Sequence, residues 1–405
     1  MNYKTYKISE LIDEIAMGPF GSNIKVESFV DDGVPVLNGS NLEGFQLGEK
    51  SFRYVTEEKA SSLGRANAHR GDIIITHRGT LGQIVYIPQT SKYDRYIISQ
   101  SQFRIKCNEK VLPEYLVYYF HTPIGQHKLL SNASQVGVPA LARPSSTFQK
   151  IEVEIPGLDI QRRVVNIINS LQNKIALNNK INDNLEQQAE ALYKAWFIDY
   201  LPFAGEKPEE WNNTIIEELT SLVSRGITPK YTEDSDQIVI NQKCVRDHRI
   251  DLSLARTHTP KKINEKWLQY GDLLINSTGE GTLGRAAQVW FKPEKMTVDS
   301  HVTIVRPKSK ELMYYIGFWG LVHEKEIESL HTGSTGQTEL PRERIKAMEL
   351  VLPDQTTLAI FNAIVQPMTE TIINNQIQNN KLAALRDALL PKLMSGEIDV
   401  ENIRV

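Results

Sequence analysis

A chain of 405 residues is long enough for two domains and their connectors. Hydrophobic content of 40% and charged content of 23% are those of an ordinary soluble globular protein. The formal net charge of −3 excludes a wholly basic, nucleic-acid-coating chain, so any basic face must be local.

The two cysteines, Cys107 and Cys244, are far apart and lack a metal-ligand spacing, which reads as a reduced, cytoplasmic protein. The opening MNYKTYKISELIDE is polar and does not have the form of a signal peptide. No run of about 18 apolar residues is present to span a membrane.

Taken in order, the chain says most things twice. YKISELIDEIAMGPFGSNIK is a short amphipathic start ending in a glycine-punctuated loop, and NTIIEELTSLVSRGITPKY at 213–231 repeats that form. VPVLNGSN at 34–41 and IVINQKC at 238–244 are short β-rich runs that break into polar residues. GDIIITHRGTLGQIVYIP at 71–88 and GDLLINSTGEGTLGRAAQVWF at 271–291 each give Gly-Asp, a buried strand, a polar turn, Gly-Thr-Leu-Gly and a second strand. Gly79, Gly82, Gly281 and Gly284 are then backbone devices for tight turns. SQSQFRIK at 99–106 parallels DSHVTIVR at 299–306. Helical stretches with Tyr118 and Tyr119, and with Tyr314 and Tyr315, place those tyrosines in the core. GVPAL at 137–141 recurs as GQTEL at 336–340, and IEVEIP at 151–156 recurs as MELVLP at 348–353.

A long helix follows each copy. Steps of four and three pick out Val164, Ile168, Leu171, Ile175, Asn178, Asn182, Leu185, Ala189, Leu192 and Trp196. Moving along by 197 residues gives Phe361, Val365, Met368, Ile372, Asn375, Asn379, Leu382, Arg386, Leu389 and Leu393. This is a coiled-coil seam of more than four heptads, roughly 55 Å long at 1.5 Å per residue. Asparagine in a seam costs stability and fixes register. Antiparallel pairing about a pseudo-two-fold axis would set Asn178 against Asn379 and Asn182 against Asn375. Apolar residues off the seam, among them Ile167, Leu177, Ile181, Ile198, Ile364, Ile373 and Ile377, would cover the globular parts or receive partners.

Charge is distributed unevenly. Residues 1–150 carry 17 Lys+Arg against 14 Asp+Glu, and residues 206–353 carry 20 against 22. Within the second block, Lys243, Arg246, Arg249, Arg256, Lys261 and Lys262 face only Asp247 and Asp251. That segment is either a local basic face or ordinary solvated surface.

The ordered repeats and the segment QRRVVNIINSLQNKIALNNKI at 161–181 resemble the specificity subunits of type I restriction–modification systems, over essentially the whole chain. GPFGSNIK at 18–25 and LLPKLMSGEI at 389–398 add to that resemblance. It implies an α+β fold, with a small α/β target recognition domain duplicated in tandem. Two long antiparallel coiled-coil helices would join the copies with pseudo-two-fold symmetry. The expected boundaries are 1–157 and 213–353 for the recognition domains, and 158–200 and 354–395 for the helices. A linker at 201–212 and a tail at 396–405 complete the chain. The resemblance also implies double-stranded DNA as ligand, with two adenine methyltransferase (modification) subunits docked on the helices. Two restriction subunits (translocase and nuclease) would join them. S-adenosylmethionine, and ATP with Mg, would belong to those partners. A non-catalytic two-headed protein scaffold has the same outline and is the competing reading.

Catalytic signatures are lacking. There is no Asn/Asp-Pro-Pro-aromatic tetrapeptide for adenine methylation and no phosphate-binding Gly-x-x-x-x-Gly-Lys-Ser/Thr loop. His248 and His258 have no cysteine or carboxylate cluster at ligand spacing along the chain, so no metal site is expected.

DNA contacts are expected from polar loop residues in matched positions, because base edges are read by Arg, Lys, Asn, Gln and Ser/Thr. In the first half these are Ser22, Asn23, Lys25, Asn38, Ser40, Asn41, His77, Arg78, Gln100, Gln102, Ser134 and Gln135. In the second half they are Arg225, Thr228, Lys230, Asn241, Lys243, Ser277, Thr278, His301, Ser334 and Thr335. Arg78 leads as a base contact because it tips a turn between two buried strands; its competing role is to satisfy carbonyls of that turn. Lys25, Lys230 and Lys243 suit phosphates. Ile181 and Ile377 are the expected docking residues for methyltransferase subunits.

Overall fold

The structure, a computed structural model, describes residues 3–19, 21–134, 137–279, 281–333 and 338–400, the side chain of Ser22 excepted. The chain forms two compact units, Met1–Ala176 with Asn379–Val405, and Leu177–Gln378. Each unit is α+β, and the second repeats the first.

In the first unit a four-stranded antiparallel sheet has the order Ile12–Met17, Gln102–Cys107, Ile73–Thr76, Ile84–Tyr86. In the second the order is Thr220–Arg225, Val302–Pro307, Leu273–Asn276, Ala286–Gln288. Both sheets carry a bulge at the same place, between Ile12 and Glu14 and between Thr220 and Leu222. A second sheet in each unit pairs one strand in parallel, Val34–Val36 with Arg95–Ile97 and Ile238–Ile240 with Met296–Val298. A two-stranded ribbon closes each repeat, Lys4–Lys7 with Glu152–Ile155 and Asn212–Ile215 with Glu349–Leu352.

The central strands read as unbroken apolar runs because both of their faces are buried. Side chains alternate across a strand, so Ile73 and Ile75 enter one core while Ile74 enters another between the two sheets. Leu273, Ile275 and Leu274 divide in the same way. Tyr118, Tyr119, Tyr314 and Tyr315 are all buried in these cores.

The long helices are Leu158–Phe197 and Gln355–Ser395. They are not separate segments standing apart from the globular parts, since each unit holds one half of each helix. The first core takes Val164, Val165 and Ile168 from the first helix and Leu390, Leu393 and Met394 from the second. The second takes Ala189, Tyr193 and Phe197 together with Leu358, Phe361 and Val365. The start of one helix therefore packs beside the end of the other, so the helices run antiparallel. Within the seam, Asn375 Nδ2 donates to Asn182 Oδ1 at 2.8 Å, and Asn178 Nδ2 donates to Gln378 Oε1 at 2.7 Å.

The Gly-Asp pairs that open the repeats have a structural task that local sequence does not reveal. Asp272 lies almost fully buried and pairs with both Nε and Nη2 of Arg306, at 2.7 and 2.8 Å. Arg306 also donates to the carbonyls of Glu265 and Trp267. In the first unit Asp72 meets Arg104 at 3.3 Å, and Arg104 also reaches Glu14 at 3.0 Å. Each aspartate further accepts a backbone N–H three residues back, from His69 and Gln269. A bidentate guanidinium–carboxylate pair in this setting ties the central strand to the loop before it.

Candidate nucleic-acid interface

Both units build a polar rim by the same backbone scheme. After strand Ile73–Thr76 the chain turns through His77 and Arg78, with His77 N donating to Ser101 O at 2.9 Å and Thr76 N to Gln83 O at 3.0 Å. After strand Leu273–Asn276, Ser277 N donates to His301 O at 2.8 Å and Asn276 N to Arg285 O at 2.9 Å. The turn residue then makes a single β-bridge to a downstream loop, Arg78 to Ala140 and Thr278 to Glu339. Leu141 N donates to His77 O, and Leu340 N to Ser277 O. Turn and downstream loop are thereby fixed together in each unit.

A third loop joins the rim at a glycine in both units. Gly18 N donates to Gln102 O at 2.8 Å, and Gly226 N to Val302 O at 3.1 Å. A Cβ on Gly18 would lie 1.9 Å from Ser99 O, and one on Gly226 would lie 1.9 Å from Val298 O. Only glycine permits that approach of backbone to backbone.

The side chains on these matched frames differ. Arg78 is exposed and has no side-chain partner among the described residues, whereas Thr278 bonds His301 Nδ1 at 2.7 Å and Gln242 Oε1 at 3.1 Å. His77 is half-buried with Nε2 3.1 Å from Gln100 O, and burial lowers its pKa. Arg225 is held by Glu339 and by Leu340 O. Asn23, Ser40, Gln100, Ser134, Thr228 and His301 are exposed, as are Lys25, Lys230 and Lys243. Asn38 and Asn241 cap local turns, accepting from Ser40 N and Lys243 N at 2.9 Å each.

Three expected contacts are corrected. Asn41 is buried and spends its amide on Gly48 O, Lys50 O and Asn38 N. Gln102 is buried and accepts from Ser99 N at 2.9 Å. Ser277 is buried against Thr303 Oγ1 at 2.6 Å. All three organise loops from within, because a buried polar group must find its partner inside the fold. Gln135, Ser334, Thr335 and the side chain of Ser22 lie outside the described residues.

The basic segment of the second unit is partly consumed by its own surroundings. Arg249 pairs with Asp183 at 2.9 Å, Arg256 stacks 3.7 Å over the Tyr231 ring, and Lys261 donates to Thr228 O. Lys243, Arg246 and Lys262 remain exposed.

The reading of His248 from chain spacing is also revised. Helix residues Glu186 and Glu190, some sixty positions earlier, reach its Nδ1 at 2.6 and 3.2 Å, while Glu324 lies 3.6 Å from Nε2. Burial alone lowers this imidazole, but the three carboxylates around it, with Glu186 hydrogen-bonded, outweigh that and raise the pKa to about 12.

On the helices, Ile181 and Ile377 are 38% and 49% exposed, and Leu177, Ile198 and Ile364 are exposed too. Ile167 instead packs against the first core. No helix among the described residues is long and apolar enough to cross a membrane.

Residues 3–187 match the family described as the type I restriction modification DNA specificity domain. The chain is 26% identical to the type I restriction enzyme MjaIX specificity subunit of Methanocaldococcus jannaschii, over 97% of this chain and 93% of that one. It is 23% identical to the HindI specificity subunit of Haemophilus influenzae, over 81% and 87% of the two chains. Its fold is similar to that of the type I restriction–modification S subunit from M. genitalium, with a TM-score of 0.55 at 14% identity, over 97% and 96% of the chains.

Proposed function

We propose that this chain is a specificity subunit of a type I restriction–modification system, and that its two halves divide the reading of DNA. Residues 3–187 match a family described as a DNA specificity domain, and on this reading the chain recognises DNA while partners carry the catalysis. Each rim reads one half of a bipartite target in the major groove, and the target is asymmetric. The observation that carries this is the pairing of one backbone scheme with different side chains. The turn after the central strand is fixed by equivalent bonds at 2.9 and 2.8 Å, yet presents Arg78 in one unit and Thr278 in the other. Equal frames with unequal readers suit two unlike half-sites.

Arg78 supplies base readout in the first half through a bidentate contact of the Arg–guanine type. Thr278 and His301, held to each other, are the counterpart surface in the second. Lys25, Lys230 and Lys243 position the phosphates. The antiparallel helices set the spacer, at roughly one turn of duplex between half-site centres. They also dock two adenine methyltransferase subunits, and two restriction subunits complete the cytoplasmic assembly. S-adenosylmethionine is then the methyltransferases' cofactor, and ATP with Mg serves the restriction subunits.

Base-resolution mapping of adenine methylation in the source genome, with and without the gene, tests this reading. A bipartite, asymmetric methylated motif that vanishes with the gene is the expected result. A methylome that keeps every motif in a strain expressing the whole complex would overturn it.

A further inference from the structure

Glu186 and Glu190 are four residues apart on the first long helix, so their carboxylates leave one face of it. His248 reaches that face from the two-residue turn between strands Val245–Arg246 and Arg249–Ile250. Asp247 and His248 both hold left-handed backbone, φ +49° and +56°, the form that a tight hairpin of this length requires. Residues other than glycine seldom keep it unless their surroundings hold them there.

Three features separate this group from a chance meeting of charges. Its three candidate ligand atoms, one from each of Glu186, Glu190 and His248, lie within 4.8 Å of one another, and all three residues are half-buried. A tetrahedral Zn2+ with bonds of about 2.0–2.1 Å sets its ligand atoms roughly 3.3 Å apart, so small side-chain rotations bring these into place. The far side of the imidazole is also provided for. Glu324 Oε2 lies 3.6 Å from Nε2, and Glu324 Oε1 is itself anchored by Ala286 N at 2.5 Å. A fixed carboxylate behind the ring is how metal-binding histidines are oriented and made more basic.

The charge balance leans the same way. Arg249, next in sequence, points to Asp183 at 2.9 Å rather than into the cluster. Three carboxylates therefore share one imidazole, and even with that imidazole protonated the group keeps an excess of negative charge in a half-buried setting. A divalent cation in place of the bridging proton reduces that excess.

We propose that Glu186, Glu190 and His248 are the ligands of a divalent transition-metal site of the Zn2+ class, with Glu324 orienting the histidine. The mixed imidazole and carboxylate donors favour such a cation over Mg2+, which prefers oxygen ligands alone. Its effect is to staple the 245–250 hairpin to the helix within the second unit. That hairpin opens the basic segment, so the staple steadies the approach to Lys243 and Arg246. The site does not depend on the DNA reading above.

The test is isothermal titration of the full-length, tag-free chain, stripped with a chelator, against Zn2+ and separately against Mg2+. One Zn2+ per chain, bound at least tenfold more tightly than Mg2+, is the expected result. His248→Asn keeps a residue that accepts left-handed backbone while removing the ligand. It and Glu186→Gln should each weaken Zn2+ binding tenfold or more, with the circular dichroism of the metal-free chain unchanged. Glu324→Gln should weaken it about 10- to 100-fold, as for other outer partners. Co2+ in place of Zn2+ should give a visible absorption band that Glu186→Gln removes, which keeps the test decisive if His248→Asn fails to fold. No stoichiometric Zn2+ in the parent chain, or equal binding in Glu186→Gln, would overturn the proposal and leave a proton-bridged contact.

Discussion

At the residue scale, the polar positions divide by whether their hydrogen bonds are already spent. Asn41, Gln102 and Ser277 are inside and committed, while Arg78 stands exposed at the tip of its turn. Arg78→Ala should therefore leave the fold intact and weaken recognition at one half-site by about 1–3 kcal/mol, the worth of a good bidentate base contact. Competition binding with single-base variants of the target, at fixed salt, would show the loss confined to one base pair. A loss spread evenly over all sequences would instead make Arg78 a phosphate contact. Asp354 gives a different kind of prediction. It caps the second long helix, accepting from Thr356 N and Thr357 N at 2.9 and 3.0 Å, and it also accepts from Trp211 Nε1 at 3.0 Å. The Thr357 hydroxyl foremost, with these N–H donors, holds its carboxyl below the usual value against the opposing effect of partial burial. The stability it contributes is fully present above the unfolded carboxylate pKa, about 3.9, and is lost as pH falls through the lower folded value. Asp354→Ala should cost about 1 kcal/mol at pH 7. Urea unfolding should show the difference from the parent shrinking as the pH falls through that window and vanishing below it.

Among elements, the long helices carry two kinds of information. Their seam holds a hydrogen-bonded asparagine pair, Asn182 and Asn375, where leucine would bury more apolar surface. Asn375→Leu alone leaves Asn182 Oδ1 without its donor inside a fully buried side chain, and should destabilise the chain. Replacing both by leucine should recover that loss and more, with a coupling energy of about 0.5–3 kcal/mol in a double-mutant cycle. Additive single effects would mean that the two amides act independently. Outside the seam, Ile181 and Ile377 are the exposed apolar positions expected to dock a methyltransferase subunit. Aspartate at both should abolish co-elution with that subunit while melting temperature stays within a few degrees, since surface changes rarely cost more than about 0.5 kcal/mol. Retention of the full complex would move the docking face elsewhere on the helices.

For the whole molecule, duplication is the governing fact. Each unit has its own sheets and its own core, and each core is completed by half of each long helix. One rim can thus change its readers without disturbing the packing of the other. Exchanging residues 213–353 for the corresponding part of a type I restriction–modification specificity subunit of different target should, on the proposed reading, alter one half of the methylated motif and keep the other half and the spacer. Sequencing the methylome of cells carrying the hybrid would reveal it. A motif changed in both halves would show that the readers are not independent.

What the sequence by itself determined was periodic or repeated. The duplication, the strand–turn–strand units, the seam with its asparagines and the buried tyrosines all follow from spacing, because a helix or strand imposes its period on the residues that build it. What only the tertiary structure decided was pairing between distant positions. Nothing near Asp272 in the chain announces Arg306, and nothing near His248 announces Glu186, Glu190 and Glu324. For the same reason loop polarity alone did not separate Asn41 and Gln102 from Arg78. Whether a polar side chain faces solvent or satisfies a buried backbone group depends on which segments the fold brings beside it, and that is fixed by long-range packing rather than by local order along the chain.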